Sequence, residues 1–164
     1  MCRVPSICPQ LPEISVRPIS DADLPFLINV YANTREERAI TQWIDCQSQH
    51  ILTQQFAEQQ HTYQQRFPDA AYDLILLCDK PIGRISSDRF ADEIRIIEIA
   101  LLPEYRNQKI GTAFLQATRA EARSLGRTIR LHVEQFNRAV RLYTRLGFQP
   151  ISSNGTYYVL EWRP

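Results

Sequence analysis

The spacing of apolar positions changes several times along the chain, and each change marks an element. ISVRPI (14–19) alternates with a period of two, as a short strand does. SDADLPFLINVYANT then carries acidic residues at its start and Pro25 in what would be a first helical turn, so a helix is expected. TREE, residues 34–37, has the form of a second capping box. From about Asp45 to Phe67 the chain is polar apart from Leu52, Phe56, Tyr63 and Phe67, spaced by four, seven and four. That is one apolar stripe on a helix, and the eight glutamines between Gln47 and Gln65 read as its solvated face.

Three strand patterns follow: AYDLILLC (71–78), PIGRISSDRF (81–90) and EIRIIEIALL (93–102). Only Asp79 and Lys80 separate the first two, and the next link is almost as short, so an antiparallel meander is expected. A helix over 109–125 puts Ile110, Ala113, Phe114 and Ala117 on one face. TIRLHV (128–133) is a further strand, NRAVRLYTRL (137–146) a short helix, and GFQPI and GTYYVLEW two closing strands. The order β-α-α-β-β-β-α-β-α-β-β predicts a mixed sheet with helices on both faces. It forms one domain over 14–164, behind an irregular lead-in of residues 1–13 with Pro5, Pro9 and Pro12.

Composition narrows the function classes. At 164 residues the chain suits a single two- or three-layer core. With 19 basic and 18 acidic residues the net charge is +1, which offers no field for a nucleic acid or a membrane surface. No apolar run nears the ~20 residues that span a bilayer, and no signal-peptide core follows Met1. Cys2, Cys8, Cys46 and Cys78 lack the close paired spacing of a zinc site, so no metal is expected and they read as reduced thiols of a cytoplasmic protein.

Glycine is scarce, with five in the chain, so each position is informative. Gly126 and Gly147 suit left-handed helix caps, Gly155 a tight turn, and Gly83 a bulge or a close approach. Gly111 is different, because the first turn of a helix neither needs nor favours glycine. One explanation is close approach of an anion: the first amides of a helix lack internal partners and carry the positive end of its dipole. Arg106 and Lys109 would add charged donors at the rim. The other explanation is helix–strand packing beside two solvated cations. RLHVEQFNRAVRLYTRLGFQ adds a second constellation, with Asn137 as the N-cap of a helix carrying Val140, Tyr143 and Leu146.

Together the two stretches resemble the GNAT superfamily of acyl-CoA-dependent N-acyltransferases, over roughly Ile14 to Trp162. LLPEYRNQKIGTAFL is similar to the family pattern V-x-P-x-x-(R/Q)-x-x-G-x-(G/A), with Leu101, Pro103, Arg106 and Gly111 in place and Lys109 where the middle glycine stands. Asn137, Tyr143, Leu146, Gly147 and Phe148 match the second family block. The resemblance implies an α/β (α+β) fold with a mixed, mostly antiparallel twisted sheet of about seven strands. It implies acetyl-CoA as the acyl donor, its pyrophosphate on the amides of Asn107, Gln108, Lys109, Ile110, Gly111 and Thr112, with Asn137 also at the cofactor. Backbone groups of Ile99 and Leu101 would pair with the pantetheine arm as an added strand, where this strand parts from 128–133. An amine would attack the thioester directly through a tetrahedral intermediate, a backbone N–H near Leu101 steadying the oxyanion and Tyr143 protonating the thiolate.

Several points stay open at this level. A base must take the amine's proton, and Glu98, a lone carboxylate in an apolar strand, is the candidate; alternation places it opposite Ile97, Ile99 and Leu101. The competing explanation is a structural pair with Arg84, Arg95 or Arg130; Glu93, Glu134, His132 and a water chain are weaker bases, and His50 and His61 are expected to be solvated or packed. Lys109 either overhangs the anion site or adds a cation to it, and a non-catalytic acyl-CoA-binding or partner-binding module is the alternative to an enzyme. The acceptor is an unidentified amine: Glu36, Glu37, Asp45 and Glu58 would attract one, or simply face solvent, and YYVLEW is a candidate for pairing across a homodimer.

Overall fold

The computed structural model describes residues 14–36 and 46–164. The lead-in of residues 1–13, with Cys2 and Cys8, lies outside them, as do Glu37 and Asp45. The expected order is found: β1 (Ile14–Pro18), α1 (Leu24–Glu36), α2 (Cys46–Arg66), β2 (Ala71–Leu77), β3 (Lys80–Arg89), β4 (Glu93–Leu101), α3 (Ile110–Leu125), β5 (Thr128–Glu134), α4 (Ala139–Arg145), β6 (Gln149–Ser153) and β7 (Tyr157–Trp162). The seven strands form one sheet in the order β1-β2-β3-β4-β5-β7-β6. Every neighbour is antiparallel except β4 and β5, which are parallel because α3 crosses over between them.

Successive side chains of the strands feed opposite layers. Leu74 and Leu76 of β2 bury against Leu27, Tyr31 and Phe56 of α1 and α2. Ile75 and Ile82 bury instead against Ile110 and Phe114 of α3. A larger cluster joins Leu115 and Ala122 of α3, Tyr143 of α4 and Ile94, Ile96, Ile129, Leu131, Leu160 and Trp162 of the sheet. Each fully buried aliphatic side chain contributes roughly 1.5–3 kcal/mol, so these two layers hold the sheet from both sides.

Several local expectations shift. The β2–β3 hairpin turns at Cys78 and Asp79, both left-handed (φ 48 and 64), one residue earlier than the spacing suggested. TREE does not start a helix: Thr34 lies inside α1, its hydroxyl donating to Tyr31 O at 2.7 Å. The turn before α1 is closed by Ser20 and Asp23 instead, with Ser20 N–H donating to Asp23 Oδ2 at 2.8 Å and Arg17 gripping the same carboxylate. Gly126 and Gly147 end α3 and α4 in the left-handed region (φ 64 and 88), as expected. YYVLEW does not sit at an edge: β7 runs between β5 and β6, so both its sides are already paired, and among the described residues the edge strands are β1 and β6.

Candidate active site

β4 and β5 pair only from Glu93–Thr128 to Ile96–Leu131, although β4 continues to Leu101 and β5 to Glu134. Beyond that point β4 stays with β3 and β5 stays with β7, so the two central strands part. The parting begins beside a bulge. Ser86 pairs with Glu98 but Ser87 with Ile96, which leaves Ile97 without a partner on β3 and interrupts the alternation there. Above the bulge, hydrogen bonding fixes the direction of the backbone. Leu102 N–H donates to Ile82 O on β3 at 3.0 Å. Amides alternate along a strand, so those of Ile99 and Leu101 point the other way, into the gap. Gly83 makes the β3–β4 contact possible, because a Cβ there would lie 2.3 Å from Ala100 O.

The segment after β4 is tightly tied. A 3-10 turn, Pro103–Tyr105, closes through Tyr105 N–H to Leu102 O at 3.0 Å. Arg106 Nε donates to Leu101 O at 2.9 Å, and Gln108 Nε2 to Glu104 O at 2.7 Å. Asn107 and Lys109 are both left-handed, with φ 60 and 64. The first α3 bond runs from Ala113 N–H to Lys109 O at 2.9 Å. Among the described residues, the backbone amides of 107–112 therefore donate to no other backbone group. They converge at the positive end of a helix of 16 residues.

Gly111 sits in the middle of this array. An added Cβ would meet only Leu142 Cδ2, at an ordinary 3.8 Å. Neither backbone conformation nor protein packing requires glycine there, so the packing explanation falls and an open approach from outside remains. Lys109 is exposed and adopts the left-handed conformation that a glycine takes without strain. Its side chain is exposed at the start of α3, beside the amides of 107–112.

On the other side of the gap, the N-cap of α4 is Arg138, one residue later than expected, and Asn137 closes the turn just before it: its Oδ1 accepts from Ala139 N–H at 2.8 Å. Tyr143 is 8% exposed and packs edge-on against Phe148, ring centroids 5.7 Å apart. It shares its cluster with Ile96, Leu131 and Val133 of the two parting strands. Burial pushes its hydroxyl up to about 12, so it keeps its proton through the neutral range.

The α2 side of the gap carries the charged groups. Glu98 pairs with Arg84 of β3, one of the three partners the sequence allowed. The other two are engaged elsewhere: Arg95 with Glu93 at 2.6 Å, Arg130 with Glu93 and Glu161 at 2.9 and 2.6 Å. His132 Nδ1 lies 3.3 Å from Arg95 Nη1, and its pKa is lowered by partial burial and then by Arg95 and Arg66. Glu134 accepts from the Tyr157 hydroxyl at 3.1 Å. His50, Glu58 and His61 are exposed on the outer face of α2.

Two features escaped the sequence reading. Gln59 is not on a solvated face: half-buried, it accepts from Arg84 Nη2 at 3.3 Å. Its position three residues after Phe56, on the edge of the apolar stripe, was the available signal. Phe136, in the turn before Asn137, is 96% exposed, and no periodicity marks it. Among the described residues, no group of three or more metal-ligating side chains gathers, and no helix is long and apolar enough to cross a membrane.

Residues 70–150 match the family model described as an acetyltransferase (GNAT) domain. No curated protein sequence matches the chain. Among solved structures, the PaiA N-acetyltransferase of Thermoplasma acidophilum, in complex with coenzyme A, superposes with a TM-score of 0.70 at 20% identity, over 92% of this chain and 99% of that one. An acetyltransferase from Thermus thermophilus gives 0.68 at 14% identity, over 94% and 99%. Naa50 of Arabidopsis thaliana, bound to a bisubstrate analogue, gives 0.57 at 16%, over 93% and 99%. At these identities the likeness establishes the fold.

Proposed function

With an acetyltransferase (GNAT) domain over residues 70–150 as the premise, we propose that this chain is an N-acetyltransferase that moves an acetyl group from acetyl-CoA to a primary amine. One observation carries this reading. A strand edge opened by the parting of β4 and β5 lies at the same end of β4 as six amides with no backbone acceptor among the described residues, and Gly111 among them has no side chain where a Cβ would meet only Leu142 Cδ2 at 3.8 Å. A thioester with a long amide-bearing arm and a pyrophosphate needs both features together. The neighbour from Thermoplasma acidophilum holds coenzyme A, which supports the choice of donor.

The residues fit that group. The amides of 107–112 would hold the pyrophosphate, with Arg106 and Lys109 as charged neighbours and the Thr112 hydroxyl as a further donor. Ile99 and Leu101 would pair with the arm through their outward amides. Leu101 offers its N–H alone, since Arg106 already takes its carbonyl. Asn137, whose side chain accepts from Ala139 N–H at the start of α4, would meet the arm from the opposite wall. When bound, acetyl-CoA supplies an activated carbonyl carbon.

The chain's own groups then divide the proton work. Glu98 takes a proton from the incoming ammonium, directly or through water, which frees the nitrogen lone pair. The nitrogen–carbon bond forms, a backbone N–H near Leu101 steadies the negative oxygen, and the carbon–sulfur bond breaks with its electrons on sulfur. Tyr143, which still carries its proton at neutral pH, gives it to the departing sulfur. The second proton, which the nitrogen still carries once bonded to carbon, returns to the Tyr143 phenolate directly or through water, while Glu98 releases the first to solvent.

A non-catalytic acyl-CoA-binding module is the second reading, and it draws on Lys109. The left-handed Lys109 keeps the loop's shape, which favours the enzyme. A panel of primary amines with acetyl-CoA, read by thiol release, tests the choice. Release with at least one amine is expected; binding of acetyl-CoA with no release across the panel would establish the module instead.

A further inference from the structure

Arg84 is 1% exposed, among the largest side chains buried so completely. It occupies the α2 face of β3, opposite Ala100 of β4 and Leu74 of β2. Its neighbours on that face, Leu74 and Leu76, are apolar, and an aliphatic residue would pack there without desolvating a charge. The guanidinium instead lies over the Phe56 ring, 5.3 Å from its centroid. Nη2 donates to Glu98 Oε2 and to Gln59 Oε1. With the Gln60 amide turned oxygen-inward, Nη1 and Nη2 also reach it at 2.9 and 3.2 Å. Nε has no partner among the described residues. Four groups from α2 and β4 thus surround one buried cation.

The pair is asymmetric. The Arg84 side chain is 2% exposed and that of Glu98 is 17%. The cation is the dry end, and the carboxylate is the end that reaches solvent, two residues past the last β4–β5 pair. A buried charge is tolerated when it is paired and its geometry is fixed, and a guanidinium offers a rigid fork that an ammonium lacks. We infer that Arg84 is a positioning residue, which holds the Glu98 carboxylate at the mouth of the gap and, through Gln59 and Gln60, ties that position to the seating of α2. This rests on the reading of Glu98 as the group that takes the amine's proton. Helix α2 then acts on the reaction without touching it: a shift of Gln59 reorients the fork, and the fork moves the carboxylate.

Three variants test this, each measured for melting temperature, acetyl-CoA affinity by calorimetry, and kcat and KM with an amine that the wild type acetylates. Arg84→Lys keeps the charge and loses the fork; it should stay folded, bind acetyl-CoA within about twofold, and lose roughly tenfold or more in kcat with little change in KM. Gln59→Leu removes one amide at a half-buried site and should lower kcat about two- to fivefold at an unchanged melting temperature, which keeps the test open if changes at Arg84 prevent folding. Wild-type kcat in both variants would overturn the positioning role, as would losses that merely follow the folded fraction. Glu98→Gln separates the two readings. If it is slow while Arg84→Lys and Gln59→Leu are not, only the positioning role falls; if it turns over normally, the proton role of Glu98 falls and takes this inference with it.

Discussion

Lys109 offers the sharpest quantitative test, because one residue carries both strain and charge. Its φ of 64 places a side chain in the left-handed region at the start of α3. For an L-residue that conformation costs roughly 1–2 kcal/mol. Glycine removes the cost but gains freedom in the unfolded chain, worth roughly 0.5–1 kcal/mol. Lys109→Gly should therefore stabilise the fold by about 0.5–1 kcal/mol, a rise in melting temperature of about 1–4 °C for a chain this long. Lys109→Ala keeps a Cβ, and with it the strain, so its melting temperature should match the wild type. Both variants lose the same exposed cation, worth roughly 0.3–1 kcal/mol beside a pyrophosphate, so both should bind acetyl-CoA about two- to fivefold more weakly. Thermal melts and calorimetric titrations at one salt concentration separate the two effects. If Lys109→Gly melts no higher than Lys109→Ala, the loop is not strained there. If either variant loses more than about a hundredfold in affinity, Lys109 is a principal ligand rather than a rim cation.

Gly111→Glu should abolish acetyl-CoA binding through bulk and like charge while the fold survives, since a Cβ added there lies at an ordinary 3.8 Å from Leu142 Cδ2; equal affinity by calorimetry would remove the anion site. Tyr143→Phe should keep the melting temperature and cofactor affinity at neutral pH but slow turnover on the order of tenfold to a thousandfold. Lost binding would make Tyr143 a structural residue instead. The same hydroxyl predicts alkaline behaviour. Its ordinary value is ~10 and burial raises it to about 12, so above pH 10 the unfolded chain releases this proton first and stability falls until about 12. Over that window the wild type should lose on the order of 2–3 kcal/mol that Tyr143→Phe does not lose, measurable by urea unfolding at each pH.

The element order, the two-faced sheet and the loop from Arg106 to Thr112 were all legible in the residues themselves. Period two against period 3.6 separates strands from helices locally, and the helix ends at Gly126 and Gly147 depend on neighbours only a few positions away. Gly111 stood out for the same local reason, since no short-range rule asked for glycine there. Its meaning came only from the tertiary structure, where open space beside the missing Cβ removed the packing explanation. The parting of β4 and β5 was expected only through the family resemblance and not from the residue pattern, because pairing between strands separated by a whole helix is set by the bulge at Ile97 and by the rival claims of β3 and β7. Thr34 went inside α1, which runs on to Glu36, so the local capping preference of TREE did not start a helix there. Periodicity sorts side chains by face but cannot say what the opposite face will offer. The glutamine-rich stretch therefore looked solvated throughout until β3 set a buried Arg84 against Gln59, and Glu98 kept three possible partners until register chose one.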